Sequence, residues 1–179
     1  MSRGDSRGLS PCVYGGWVSG DESLPRGARR VRAALVGLGL PAEIVRLADS
    51  TRTAPEAAAA VGCELGAIVK SLVMRGARSG EPVLALVSGA NRADEAVIET
   101  LLGEPVARPD AAYVREVTGY SIGGIPPVAH PRVIPTVMDE DLLRFEVVWA
   151  AAGHPHAVFA IAPAALVTAT QASVVRLAA

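Results

Sequence analysis

Hydrophobic positions change their period several times along the chain, and each change marks an element. Between about residues 26 and 38, Val31, Ala34, Leu35 and Leu38 share one helical face, with Arg29, Arg30 and Arg32 elsewhere and Gly39 as a stop. Residues 43–48 read as a short strand. Thr53-Ala-Pro-Glu56 is a capping box, which predicts a helix running through the alanines to Val61 and ending at Gly62. Two β-rich runs, 67–74 and 83–88, flank a Gly/Ser/Arg turn in the manner of a hairpin. Asn91 is placed to cap a third helix that buries Val97, Ile98, Leu101 and Leu102 and stops at Gly103. Asp110 caps a short fourth helix through Val117, ending at Gly119. Strands are expected at about 132–137, 145–150, 156–161 and 173–177, with a helix from Pro163 before the last. Hairpins alternate with crossovers, so residues 26–179 predict a single α+β domain: a mixed, curved or barrel-like β-sheet with flanking helices.

Residues 1–25 lack such a period and are rich in Gly and Ser, the signature of a flexible N-terminal extension, with Tyr14 and Trp17 able to pack on the domain. A chain of 179 residues can bury a real core. Its net charge of −1 argues against broad charge-driven binding of DNA or RNA and leaves room for a local basic patch. Aromatic residues make up 4%, too few for a base-stacking platform, so contact with RNA should be small and confined to one end. Cys12 and Cys63 are isolated and make neither a disulfide scaffold nor a zinc site. The apolar runs are too short to span a bilayer and no signal-peptide pattern precedes them. The cytoplasm is the expected compartment, with no membrane partner.

Candidate chemistry concentrates in two places. Gly119-Tyr-Ser-Ile-Gly-Gly-Ile-Pro-Pro-Val-Ala-His130 joins two glycines, free to adopt positive φ, to two prolines that stiffen the chain and donate no hydrogen bonds. Such a loop is either an ordinary tight turn or a fixed set of main-chain donors for a carbonyl or phosphate oxygen. Lys70 lies within the apolar run Ala-Ile-Val-Lys-Ser-Leu-Val-Met, where alternation puts it on the face of Ile68, Leu72 and Met74. It either snorkels to water near a strand end or aims its ammonium into a pocket.

Three segments then stand in order: Thr51-Arg-Thr-Ala-Pro-Glu-Ala-Ala-Ala-Ala-Val-Gly62, Ile68-Val-Lys-Ser-Leu-Val-Met74 and Gly119-Tyr-Ser-Ile-Gly-Gly-Ile-Pro-Pro127. Together they resemble the YbaK/ProX family of aminoacyl-tRNA deacylases, relatives of the editing domain inserted in bacterial prolyl-tRNA synthetase. The resemblance covers roughly residues 27–178. It implies a YbaK-like fold and a trans-editing carboxylic ester hydrolase that releases a small amino acid (Ala, Cys, Pro or Ser) from mischarged tRNA. It implies no cofactor, no metal and no side-chain nucleophile; a ribose hydroxyl of the substrate helps activate the attacking water. The family's G-x-x-x-P loop maps onto Gly123 through Pro127. Gly123, Gly124 and Pro127 are thereby implicated in catalysis, and Ile125 and Pro126 in substrate binding. Its lysine maps onto Lys70, implied to contact the 3′ end of the aminoacyl-tRNA, with Ser71 and His130 beside the substrate. Prolyl-tRNA synthetase is the natural functional neighbour. A module that binds aminoacyl-tRNA ends or a nucleotide without turnover is the alternative.

The family often has Phe-Gly-His where this chain has Val128-Ala129-His130, which removes an aromatic from the expected pocket wall and restricts the backbone at Ala129. Other clusters are weaker. His154-Pro-His156 lacks further metal ligands nearby, and Asp139-Glu-Asp141 reads as a solvated turn. Arg29, Arg30 and Arg32 either contact tRNA phosphates or form a solvated face. Ser71 and Ser88 also read as hydrogen-bonded core serines, and Asp94 as part of a helix cap.

Overall fold

The computed structural model describes residues 24–40, 42–47 and 53–179. Tyr14, Trp17, Cys12, Thr51 and Arg52 lie outside the described residues. Local signals place the helices. α1 (Arg26–Gly37) buries Ala28, Val31 and Leu35. α2 (Ala54–Val61) carries the predicted capping box, in which Glu56 N–H donates to Thr53 Oγ1 (3.4 Å) and Thr53 N–H to Glu56 Oε2 (3.1 Å). α3 (Glu95–Leu102) starts at Asp94, whose carboxylate accepts from Ala96 N–H at 2.9 Å. Asn91 is therefore not its cap, and is held elsewhere. α4 (Ala111–Thr118) is capped by Asp110 as expected, and α5 (Pro163–Thr170) follows the last hairpin.

The strands are β1 (Ile44–Arg46), β2 (Ile68–Gly76), β3 (Pro82–Ser88), β4 (Val106–Ala107), β5 (Thr136–Asp139), β6 (Val148–His154), β7 (Ala157–Ile161) and β8 (Ser173–Val175). They form one mixed sheet in the order β1-β7-β6-β2-β3-β5-β8, with β4 pairing the far end of β2. Two expected strands are shifted. The run at 132–137 becomes extended only from Thr136, and that at 145–150 only from Val148, because a 3₁₀ turn at Glu140–Arg144 separates them. Two-residue β4 gave no periodic signal.

Three apolar clusters hold the layers together. The largest packs α1, α4, α5 and the loop residues Ile125 and Val128 onto one face of the sheet around Phe159, Leu84, Leu86 and Met138. On the other face, α3 covers Met74, Val83 and Val137 through Ile98, while α2 covers Val45, Ile68 and Val158 through Ala57, Ala58 and Val61. Alternation in β2 makes this possible: Val69 and Val73 join the large core, Ile68 and Met74 the opposite face.

Candidate active site

A split in this sheet creates the site. Parallel β2 and β6 pair only at Ile68↔Trp149 and Val69↔Ala150, and β4 takes up β2 again only at Arg75 and Gly76. No described strand pairs with residues 70–74 on that side of β2. A cavity of about 360 Å³ occupies the split, lined by Val69, Lys70, Ser71 and Leu72 from β2, by Trp149, Ala151 and His154 from β6, and by Thr53, Ala54 and Ala57 at the start of α2. Ile122, Gly123 and Ile125 form a further wall. Both faces of β2 reach it because its edge is open there. Lys70 and the glycine loop, fifty-three residues apart in sequence, thus border the same space.

The Lys70 ammonium donates to the carbonyls of Gly89 (3.3 Å) and Asn91. An ammonium has three protons, so two carbonyls leave one for a ligand. Burial holds the Lys70 pKa below the ordinary lysine value, and the Asp139 carboxylate works against that shift. Asp139 is fully buried, which corrects the expectation of a solvated turn at 139–141. Parallel pairing of β5 with β3 (Leu86↔Met138) carries Asp139 alongside Ser88. There its carboxylate accepts from Ser88 N–H (3.2 Å), Asn91 Nδ2–H (2.9 Å) and Asp141 N–H (3.3 Å). Asn91 is the link: its side chain donates to Asp139 and Asp141 while its carbonyl holds Lys70.

The glycine–proline loop divides its residues between cavity and core. Gly123 lines the cavity at φ +91° with open space where a Cβ would stand. Gly124 faces the β6–β7 hairpin instead; a Cβ there would lie 2.8 Å from the His154 carbonyl carbon. Pro126 and Pro127 are buried behind the wall, and the Pro126 carbonyl accepts from His130 Nε2 at 2.8 Å. His130 packs edge-on to Tyr120 and does not line the cavity. Burial pushes its pKa below the usual histidine value, the Pro126 bond opposes this, and Arg30 adds to it. Val128 belongs to the main core, so the residue that differs from the family pattern is not a cavity wall. Ala129 sits at φ +68°, a left-handed conformation disfavoured for a residue with a Cβ. Its carbonyl accepts from Tyr120 Oη (3.1 Å) and Arg30 Nη2 (3.3 Å), which pin the peptide.

Of the residues singled out from sequence, Lys70, Ser71, Gly123 and Ile125 line the cavity, while Gly124, Pro126, Pro127 and His130 support it from behind. Ser71 Oγ is buried without a hydrogen-bond partner among the described residues, unlike Ser88, which donates to Gly66 O at 2.8 Å. An unpaired buried hydroxyl costs about 1–3 kcal/mol, so a ligand that pairs with it recovers that energy. Sequence reasoning missed Trp149, and it considered His154 only as a metal ligand. Burial, then His156 and Arg46, lower the His154 pKa, so the ring at the cavity wall is biased toward the neutral form. No three His, Cys, Asp or Glu side chains converge on a metal-sized site among the described residues.

Fold and site together define a class: a mixed-sheet α+β domain that presents main chain, one cation and apolar walls to a small ligand. The chain belongs to the aminoacyl-tRNA editing domain family, whose model matches residues 48–169. It is accordingly a deacylating domain that acts on aminoacyl-tRNA. A crystal structure of a candidate trans-editing enzyme for prolyl tRNA synthetase is 47% identical, with a TM-score of 0.83 over 88% of this chain and 99% of that one. A scaffold protein used for computational epitope grafting is 46% identical, with a TM-score of 0.83 over 87% and 99% of the two chains. A hypothetical protein of known structure is 33% identical, with a TM-score of 0.78 over 84% and 99%. No curated protein matches the chain significantly. Among the described residues no helix is long and apolar enough to cross a membrane.

Proposed function

We propose that the protein is a free-standing hydrolase of mischarged tRNA carrying a small amino acid, acting in the cytoplasm beside prolyl-tRNA synthetase and without a metal. The observation that carries this reading is that Lys70 and Gly123 share one cavity. At about 360 Å³ it lies near the lower end of ligand pockets, suited to a small aminoacyl group. The Gly123 main chain at the cavity wall supplies the donor for the developing oxyanion, while Gly124 N–H fixes the turn by donating to the Ser121 carbonyl (3.1 Å). Losing one such oxyanion donor typically costs about 10²–10³ in rate. The free proton of the Lys70 ammonium holds the 3′-terminal ribose or its phosphate. Ser71 Oγ takes the polar end of the amino acid. Water attacks the ester carbon, the carbonyl becomes tetrahedral, and the tRNA ribose oxygen leaves with a proton.

A panel of tRNAs mischarged with Ala, Cys, Pro and Ser tests this, each incubated with wild-type and Lys70→Ala protein in the presence and absence of EDTA. We expect release of at least one small amino acid, unaffected by EDTA and at least about 100-fold slower in the variant. Loss of turnover in EDTA would remove the metal-independent part of the reading. Equal rates for Lys70→Ala would overturn the site. Val128 lies in the core, so its departure from the family pattern lends no support to a non-catalytic binding module.

A further inference from the structure

A second cavity, of about 340 Å³, lies on the opposite side of the glycine loop and has a different chemistry. Its wall includes Arg26 and Arg30 from α1, Arg115 from α4, and Tyr120, Ser121 and Gly153 between them. The two cavities share a partition. Ser121 faces this cleft while Ile122 and Gly123 face the acyl pocket, and Gly153 and His154 divide in the same way.

None of the three guanidinium groups pairs with a carboxylate among the described residues. Arg30 stacks over the Tyr120 ring at 4.7 Å and donates to the Ala129 carbonyl; Arg115 donates to Ser121 Oγ at 3.0 Å. Arg26 has no partner among the described residues, and it stands in the first turn of α1, where the helix dipole disfavours a cation. Three cations converging on one concavity without an anion repel one another unless a ligand neutralises them. The glycines show that the concavity is built: a Cβ on Gly119 would press within 3.2 Å of the Arg30 guanidinium, and one on Gly153 would strike the Tyr120 ring.

We infer that this arginine-lined cleft binds backbone phosphates of the tRNA acceptor strand next to the 3′-terminal residue held in the acyl pocket. The inference rests on the deacylase reading for the identity of the strand. Of the three α1 arginines considered for phosphate contact it keeps Arg30, leaves out Arg29 and Arg32, and adds Arg26 and Arg115. Guanidinium groups suit phosphate oxygens through paired N–H donors, and the Arg30–Tyr120 stack holds one of them in place.

The test measures binding of a labelled tRNA transcript ending in CCA as salt is varied, for wild type, Arg26→Ala/Arg115→Ala and Arg26→Lys/Arg115→Lys. Arg78→Ala/Arg108→Ala removes the same charge at the remote α3–β4 end. Each single-strand phosphate contact contributes about 0.7 to the salt slope, so the Ala pair should lower it by about 1.4 and bind about 25-fold more weakly near 0.1 M salt. The Lys pair should recover most of the slope, and the remote pair should leave it unchanged. Hydrolysis of the aminoacyl-adenosine bearing the released amino acid, which has no phosphodiester, should proceed at the wild-type rate in Arg26→Ala/Arg115→Ala.

An unchanged slope in the Ala pair overturns the inference, as does an equal fall in the remote pair. So does an inorganic-phosphate-induced rise in melting temperature that the Ala pair abolishes while the tRNA slope stays intact, which marks a site for free phosphate. If wild type hydrolyses no substrate but the slope falls as expected, the cleft stands and the deacylase reading falls. The converse result separates them the other way.

Discussion

Removing the carboxylate of Asp139 should damage stability and Lys70 function by different routes, and two substitutions separate them. Asp139 is fully buried and accepts three hydrogen bonds, from Ser88 N–H, Asn91 Nδ2–H and Asp141 N–H. Asp139→Ala leaves the Ser88 amide orphaned within the sheet, at about 1–3 kcal/mol, while Asn91 and Asp141 are partly exposed and can turn to water. A total loss of about 3 kcal/mol follows, equivalent to a fall in melting temperature of about 6–12 °C for a domain of this size. Asp139→Asn keeps the shape and one acceptor oxygen and should cost less, about 1–2 kcal/mol. Both variants remove the charge that raises the Lys70 pKa against burial. Lys70 must then lose its proton at lower pH, so the alkaline limb of kcat/KM for deacylation shifts toward neutrality. Thermal melts and a pH–rate profile of the well-folded Asp139→Asn protein are the assays. Profiles that superimpose on wild type would refute the link from Asp139 through Asn91 to Lys70, whatever the stability change.

Ala129→Gly should relieve the left-handed strain at φ +68° and, after the entropy cost of glycine, stabilise by about 0.5–1 kcal/mol, read as a rise of about 1–4 °C in melting temperature. Gly124→Ala forces a Cβ to within 2.8 Å of the His154 backbone and should cost about 1–3 kcal/mol while prising the loop from the β6–β7 hairpin. Gly123→Ala meets open space, so its penalty is the φ strain of about 1–2 kcal/mol; urea denaturation ranks the pair. Burial lowers the pKa of both His130 and His154. The unfolded chain therefore binds protons first as pH falls below about 6.5, and stability declines from there until the folded-state values are passed. Urea midpoints between pH 8 and 5 should show this decline, shallower in His130→Gln.

What the sequence disclosed and what it hid divide along a physical line. The capping box at Thr53, the glycine stops at Gly62, Gly103 and Gly119, and the alternation in β2 are local signals, and each element they mark is present. Lys70 stood out because a cation in an apolar strand is costly without a partner, and the Gly123–Pro127 loop because its composition is conformationally special. The split between β2 and β6 left no such trace. It depends on how far two strands eighty-one residues apart stay paired, and Val69-Lys70-Ser71 reads the same in a paired or an open strand. Asp139 misled for the related reason that an Asp-Glu-Asp run is normally solvated, and only the parallel register of β5 against β3 draws its first member inside. The helix signal near Asn91 is genuine, but Asp94, three residues later and also expected at the cap, supplies it and frees Asn91 for the site.

That substitution has a consequence for how the pocket keeps its charge. A lysine in a dry cavity drifts toward neutrality, and a neutral amine would lose much of its hold on a phosphate or ribose oxygen. Among the described residues no carboxylate lines the pocket, where one would repel an anionic substrate. Asp139 acts on Lys70 electrostatically from the end of β5, and the two carbonyls of Gly89 and Asn91 accept hydrogen bonds from the ammonium without carrying charge of their own. The cavity therefore faces its ligand with the Lys70 cation on one wall and the Gly123 main chain on another. Both suit an ester whose oxygen becomes anionic at the moment of attack, and neither requires a nucleophilic side chain.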